Sequence, residues 1–240
     1  SVANNTSNIS TFEGQYALFT SSGTIFQSSN YVTSYAALTS SQSNMYLVSM
    51  SSNGRYILAA GSTTNGGATT LVYISDNYGN TFTATTLPTA NWSTITMSPS
   101  GQHMIAGIGN VTTGGGNYYT SNSYGSSWIT FSASQIWTGS AISVNGQTQV
   151  ICNTNANSGT GSILISKSYG STWTTSTAPT SLQWQKIALS ASGQYITAVA
   201  ASSGIYVSSS YGASWSQNNT ATSAWSSVSL SSSGQYQIAS

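Results

Sequence analysis

The sequence predicts an all-β fold, a β-propeller of four-stranded antiparallel blades. Three observations predict it. Two turn motifs alternate along nearly the whole chain. The glycine of one recurs at positions 14, 54, 101, 146, 193 and 234, at spacings of 40, 47, 45, 47 and 41 residues. A period near 45 built of short β segments marks a propeller. The segments between turns are short, rich in β-branched and aromatic residues, and alternate polar with apolar.

Each repeat reads as four strands. Strand one precedes the first turn, as in STITMS (93–98) and KIALS (186–190). The turn itself is S-x-G, seen in SSNG (51–54), SPSG (98–101), SVNG (143–146), SASG (190–193) and SSSG (231–234), with a weaker copy, TFEG (11–14). Its glycine supplies the positive φ of a tight hairpin. Strand two follows, as in QYITAV (194–199), with the alternation of a half-buried strand. A polar loop leads to strand three, as in LVYIS (71–75) and GIYVS (204–208). The second turn comes next: SSNYVTSY (28–35), SDNYGNTF (75–82), SNSYGSSW (121–128), SKSYGSTW (166–173) and SSSYGASW (208–215). Strand four starts at its closing aromatic residue.

This second turn resembles the Asp-box, or BNR repeat, of sialidases, sortilin-like receptors and other β-propellers, whose pattern is S-x-D-x-G-x-T-W. The matching serines are Ser28, Ser75, Ser121, Ser166 and Ser208, and the matching glycines Gly79, Gly125, Gly170 and Gly212, with Val32 in the first copy. The closing aromatics are Tyr35, Phe82, Trp128, Trp173 and Trp215. The boxes are degenerate: Asn30, Asn77, Ser123, Ser168 and Ser210 stand where the pattern has Asp. Asn and Ser, like Asp, accept hydrogen bonds from backbone N–H groups two or three residues on, so the turn is expected to be structural. The resemblance implies boxes on the face away from the ligand site, and hence no binding role for them.

A single domain, 1–240, is expected, with units near 5–43, 44–90, 91–135, 136–182 and 183–223 and a partial unit at 224–240. These supply 22 strands. A six-bladed ring with an incomplete closing blade is expected, residues 1–6 pairing beside the last strand. The alternatives are a five-bladed ring with one surplus two-strand copy, or a fragment of a longer array. The start at Ser1, without Met or a signal-peptide pattern, is read as a processed form or fragment.

Composition bounds the function. Charged residues make up 2% of the chain, namely Arg55, Lys167, Lys186, Glu13 and Asp76, with His103 the one histidine. An average domain carries roughly 25%. No basic patch can form, which excludes phosphate-directed nucleic-acid binding and polybasic membrane attachment. Membrane insertion is excluded too, because a spanning helix needs about 20 consecutive apolar residues. Aromatics at 11% argue against disorder. What remains is a Ser/Thr/Asn/Gly surface, expected on an extracellular, cell-surface or virion-surface protein. Cys152 is alone, so no intrachain disulfide forms, and it reads as a small buried strand residue. Sequons at Asn4, Asn5, Asn8, Asn91, Asn110 and Asn218 carry little information in a chain this rich in Asn, Ser and Thr.

No catalytic residue, metal site or cofactor is expected. The likeness to sialidases implies an arginine triad, an acidic general acid and a Tyr–Glu nucleophile pair, and one arginine cannot build a triad. Glycoside hydrolysis of the usual kind needs two nearby carboxylates, and Glu13 and Asp76 fall in turns of different blades. His103 has no carboxylate candidate in its own blade.

One more repeated position bears on binding. Nine residues before the S-x-G glycine stand Trp92, Trp137, Trp184 and Trp225, with Asn5 in the first unit and Met45 in the second. Two readings stay open. The indoles pack between blades, or they form a ring beside the Asn/Thr/Ser/Gly loops and stack on neutral sugars. The expected function is a non-catalytic surface or assembly propeller, with a protein partner or its own copies. The alternative is a lectin-like propeller binding a neutral glycan through the tryptophan face, and a glycosidase-like enzyme stands third.

Overall fold

The computed structural model of the chain describes residues 9–10, 15–39, 44–61, 70–109, 115–155, 158–201, 203–219 and 223–240. These residues form strands joined by turns and loops, with no helix among them. Four strands make the first sheet: β1 (Ile9–Ser10), β2 (Ala17–Ser21), β3 (Thr24–Ser28) and β4 (Ala36–Ala37). The second holds β5 (Leu47–Met50), β6 (Ile57–Ala60), β7 (Val72–Ser75) and β8 (Thr83–Ala84). A seven-stranded sheet follows: β9 (Trp92–Met97), β10 (Met104–Ile108), β11 (Gly116–Ser121), β12 (Ile129–Ile142), β13 (Gln149–Thr154), β14 (Ile163–Ser166) and β15 (Thr174–Thr175). Next come β16 (Trp184–Leu189), β17 (Ile196–Ala200), β18 (Gly204–Ser208) and β19 (Ser216–Asn219). A two-stranded sheet of β20 (Val228–Leu230) and β21 (Gln237–Ala239) ends the chain. Every pairing is antiparallel between sequence neighbours, which is the meander of a propeller blade.

The seven-stranded sheet is two blades joined edge to edge. β12 runs 14 residues without interruption. Its first part, through Gln135, pairs with β11, and its second part, from Ile136, pairs with β13. It therefore serves as strand four of blade 3 and strand one of blade 4.

The core lies between blades. Leu18 and Ile25 of blade 1 pack against Val48, Met50, Ile57 and Ala59 of blade 2. Leu58, Ala60 and Val72, also of blade 2, pack against Ile95, Met104 and Ala106 of blade 3. Ile105 of blade 3 meets Ile151 of blade 4, and Val150 and Cys152 of blade 4 meet Ile187, Ile196 and Ala198 of blade 5. Alternate residues of one strand thus serve two interfaces, following the period of two. This corrects the expectation of half-buried second strands: every residue of β6, β13 through Asn153, and β17 is buried. Thr197 and Gln149, which look like surface residues in sequence, are among them.

The second turn is held by side-chain oxygens. Ser75, Ser121, Ser166 and Ser208 Oγ each accept from the glycine N–H four residues on, at 2.9, 3.0, 2.9 and 2.9 Å. At the position where the pattern has Asp, Asn77 Oδ1 and Ser123, Ser168 and Ser210 Oγ accept the N–H four residues on, each at 3.0 Å. The reach is thus four residues instead of the two or three expected. Trp128, Trp173 and Trp215 close the loop, each donating Nε1–H to the turn glycine's carbonyl.

The first turns are stitched across blades. Ser52 N–H donates to Pro99 O, Val144 N–H to Ala191 O, and Ala191 N–H to Ser232 O. Pro99 has no N–H to pass on. The expected pairing of residues 1–6 beside the last strand lies outside the described residues, as does Glu13.

Ser166→Ala removes the oxygen that holds the buried Gly170 N–H. Urea denaturation should show a loss of about 1–3 kcal/mol, with the circular dichroism of the native state unchanged.

Candidate functional site

The tryptophan ring is a packing device at three of its four positions. Trp92, Trp137 and Trp184 are 1, 1 and 0% exposed. Each begins or nearly begins a first strand, beside a register shift that turns the indole inward. Trp92 Nε1 donates to Thr70 O and Trp137 Nε1 to Gly116 O, both on the preceding blade, at 2.9 Å. Trp184 lies edge-on to Tyr206, and its Nε1 has no partner among the described residues. Met45, at the same repeat position, is buried too. The indole ring proposed for sugar stacking is therefore corrected at Trp92, Trp137 and Trp184: stacking needs an open ring face, and these have none. Trp225 is half-buried.

The exposed repeated aromatic is a different one. Tyr31, Tyr78, Tyr124, Tyr169 and Tyr211 precede the turn glycine, or Val32 in the first copy, and are 64, 46, 42, 42 and 39% exposed. Each has a positive φ, between 55° and 61°. That conformation is uncommon for a residue other than glycine and costs of order 1 kcal/mol or more. The next residue is left-handed as well, with Gly79, Gly125, Gly170 and Gly212 at φ 76–80°. Two left-handed residues in succession swing the tyrosine out while the glycine tucks in against the preceding blade.

The turn tyrosines form a row across blades. Tyr78 lies 6.3 Å from Tyr16, Tyr124 4.9 Å from Tyr56, and Tyr169 5.2 Å from His103, centroid to centroid. The partner always comes from the preceding blade, two residues after its first-turn glycine. Most of the chain's few charges gather here. Arg55 sits 5.2 Å over Tyr56 and donates from Nε to Asp76 O, and Lys167 sits 5.7 Å from the Tyr211 ring. Between blades 2 and 3 this row borders a cleft of about 470 Å³ lined by Tyr56, Ile74, Asp76, Thr85, Ser123 and Tyr124.

A second cleft, about 430 Å³, opens between blades 3 and 4. Its floor is Phe131 stacked on Tyr118 at 4.8 Å, with Trp173 edge-on, and its walls carry Gln135, Asn153 and Ser162. The lining holds no charged side chain, and burial pushes the Tyr118 phenol up. A smaller space between inner strands is lined by Thr94, Ser140 and Lys186, whose Nζ donates to Thr138 O at 2.8 Å. Burial holds the Lys186 ammonium below the usual lysine range.

The other reactive groups are spent on structure. His103 is buried, with Nδ1 2.9 Å from Asn122 Oδ1. Cys152 is fully buried on β13, and burial pushes its thiol up to about 11. Among the described residues no group of three His, Cys, Asp or Glu could hold a metal, and no helix is long and apolar enough to cross a membrane. Sequence reasoning missed the tyrosine row. The available signal was the Y-G pair inside four of the five second turns, because a residue just before a left-handed glycine leaves the strand's alternation.

Comparison with known proteins shows the fold. No protein-family model and no curated protein matches the chain. Among solved structures it is similar to the GH74 xyloglucanase from Xanthomonas campestris, with 14% identity, a TM-score of 0.63, and coverage of 83% of this chain and 35% of that one. It is also similar to Kuenenia stuttgartiensis hydrazine synthase, with 10% identity, a TM-score of 0.72, and coverage of 97% and 72%. A third is YCF48 bound to D1 peptide, with 11% identity, a TM-score of 0.61, and coverage of 95% and 73%. The chain spans about a third of the length of the GH74 enzyme. At these identities the likeness is one of fold, and that fold is a β-propeller.

Trp137→Ala should lower unfolding free energy by about 3–5 kcal/mol, against less than about 1 for Tyr124→Asn, which keeps a residue tolerant of positive φ. Chemical denaturation of both variants checks the contrast. Cys152 should resist a thiol reagent at pH 8 in the native protein, because a raised thiol pKa keeps it protonated there, and should react at once on unfolding.

Proposed function

We propose that this chain is a non-catalytic surface or assembly propeller that binds a protein partner through its row of turn tyrosines. The observation that carries this reading is an exposed tyrosine at one repeated position of every second turn, Tyr31, Tyr78, Tyr124, Tyr169 and Tyr211, each held at positive φ. Tyrosine is enriched in protein interfaces because it offers a large, stiff, amphipathic surface at low entropic cost. Ser, Gly and Asn beside it supply adaptable hydrogen bonding, as in antibody paratopes. Repetition makes the surface multivalent. A surface that dissolves through hydroxyls and amides suits a secreted, cell-surface or virion-borne protein. We read the second turns as Asp-box turns that have lost the acid and kept the acceptor, and the ring as six-bladed with an incomplete last blade.

The cleft between blades 3 and 4 favours a second reading, a lectin-like site for a neutral glycan. Phe131 offers a ring to an apolar sugar face and Gln135 an amide to its hydroxyls. The GH74 likeness adds a fold to this reading and no residues. A hydrolase of two-carboxylate type would have to pair Asp76 with Glu13, because the sequence holds no other acidic side chain.

Panning a random peptide library against the chain tests the first reading. Enriched peptides should bind a Tyr78→Asn, Tyr124→Asn, Tyr169→Asn triple variant about 10- to 100-fold more weakly. Peptides that bind both alike would overturn it. Binding on a neutral glycan array that disappears in Phe131→Ala would support the second reading instead.

A further inference from the structure

The outward tyrosines are anchored at home and lean on the blade before. Tyr124 N–H donates to Gln102 O of its own blade at 3.1 Å. Its ring crosses to Tyr56 of blade 2, with centroids 4.9 Å apart and planes at 31°. Tyr78 lies likewise on Tyr16 of blade 1, at 6.3 Å and 33°. Tyr169 meets His103 instead. Two of the three contacts therefore bring phenol onto phenol, and each joins neighbouring blades. Tyr35, Tyr118, Tyr119 and Tyr206 have Phe or Trp as their ring neighbours.

Of the two phenol pairs, Tyr56 and Tyr124 are the closer and the more firmly held. Gly101 sits against Tyr56 so closely that a Cβ there would fall 2.6 Å from Cδ2. Gly125, beside Tyr124, is seated on Ile74 of blade 2, where a Cβ would fall 2.9 Å from Cδ1. Both rings border the open cleft between blades 2 and 3, and Tyr124 is 42% exposed. A small oxidant can therefore reach them. Phenoxyl radicals join through the ring carbons ortho to oxygen, and two rings already held in contact need no diffusional encounter to do so.

We propose that Tyr56 and Tyr124 form an oxidative cross-linking site, where hydrogen peroxide and a haem peroxidase join blades 2 and 3 by a carbon–carbon bond. Each phenol gives up one electron and its hydroxyl proton. The radicals bond between ortho carbons, and the two ortho hydrogens move to the oxygens, which restores both aromatic rings. The peroxide takes up the two electrons and two protons and leaves as two waters. The product is a dityrosine that locks two blades whose contact is otherwise non-covalent. It stands independently of any partner that the tyrosine row binds.

The test treats the dilute 240-residue chain with peroxidase and hydrogen peroxide, then maps it by mass spectrometry after digestion. The expected product is a monomer two hydrogens lighter, in which the peptides holding Tyr56 and Tyr124 are joined, with a Tyr16–Tyr78 link as the minor species. Tyr56→Phe and Tyr124→Phe keep the ring and lose only the hydroxyl. Each should remove most of the monomer's dityrosine fluorescence, whereas Tyr31→Phe should leave it unchanged. Were exposure alone to govern coupling, Tyr31, 64% exposed, would dominate in links between chains. That result, or a monomer without the Tyr56–Tyr124 link, would overturn the proposal. The cross-linked monomer should also unfold at higher urea than the oxidised Tyr124→Phe chain, because a cross-link restricts the unfolded state. Equal midpoints would overturn the lock between blades.

Discussion

Burial of the second strand on both faces is the constraint on which the rest depends. β6, β13 and β17 lie between two layers of side chains, and neither layer belongs to the strand's own blade. A lone blade would leave both faces of such a strand in water. Stability is therefore a property of neighbours, as in repeat proteins generally. The small residues at these positions, Ala59, Ala60, Ala106, Ala198 and Ala200, let adjoining sheets approach. The buried tryptophans then fill the wider space where first strands enter. The second turns join this core through their closing aromatics, Phe82, Trp128, Trp173 and Trp215, while their outward tyrosines stand apart from it.

That separation explains how one turn serves two purposes. Its serine, its asparagine or second serine, and its closing aromatic are bound inward, to backbone groups of the loop. Its tyrosine is directed outward by the same backbone path. No acid is needed for the inward task, because a neutral oxygen accepts the N–H. Neutral residues at this position also keep the face nearly free of carboxylates, and Arg55 and Lys167 sit by tyrosine rings.

The strand order and the turn positions were legible in the sequence, because glycines at positive φ and closing aromatics cannot be exchanged freely and so recur visibly. The junction at 135/136 was legible as a repeat boundary, though nothing in SASQIW distinguishes a continuous strand from a turn. Depth was harder to read. Thr197 and Gln149 look like surface residues, yet each is buried: Thr197 donates to Gln237 Oε1, and Gln149 Nε2 donates to Gly146 O while its Oε1 has no partner among the described residues. A tryptophan at a fixed repeat position is equally suited to a core or a stacking platform, and only the register shift beside it decides. The outward tyrosine was hidden because an aromatic among small residues reads as strand until two consecutive left-handed dihedrals are known.

The uninterrupted β12 has a consequence for how such a chain can change over generations. The connections on either side of blades 3 and 4, residues 85–91 and 176–183, lie outside the strands, and there whole repeats can be gained, lost or exchanged without cutting one. Between blades 3 and 4 a cut or an inserted stretch would fall inside a strand paired on both sides. These two blades are thus a single heritable block, and recombination that shuffles this repeat has its workable breakpoints on either side of the pair.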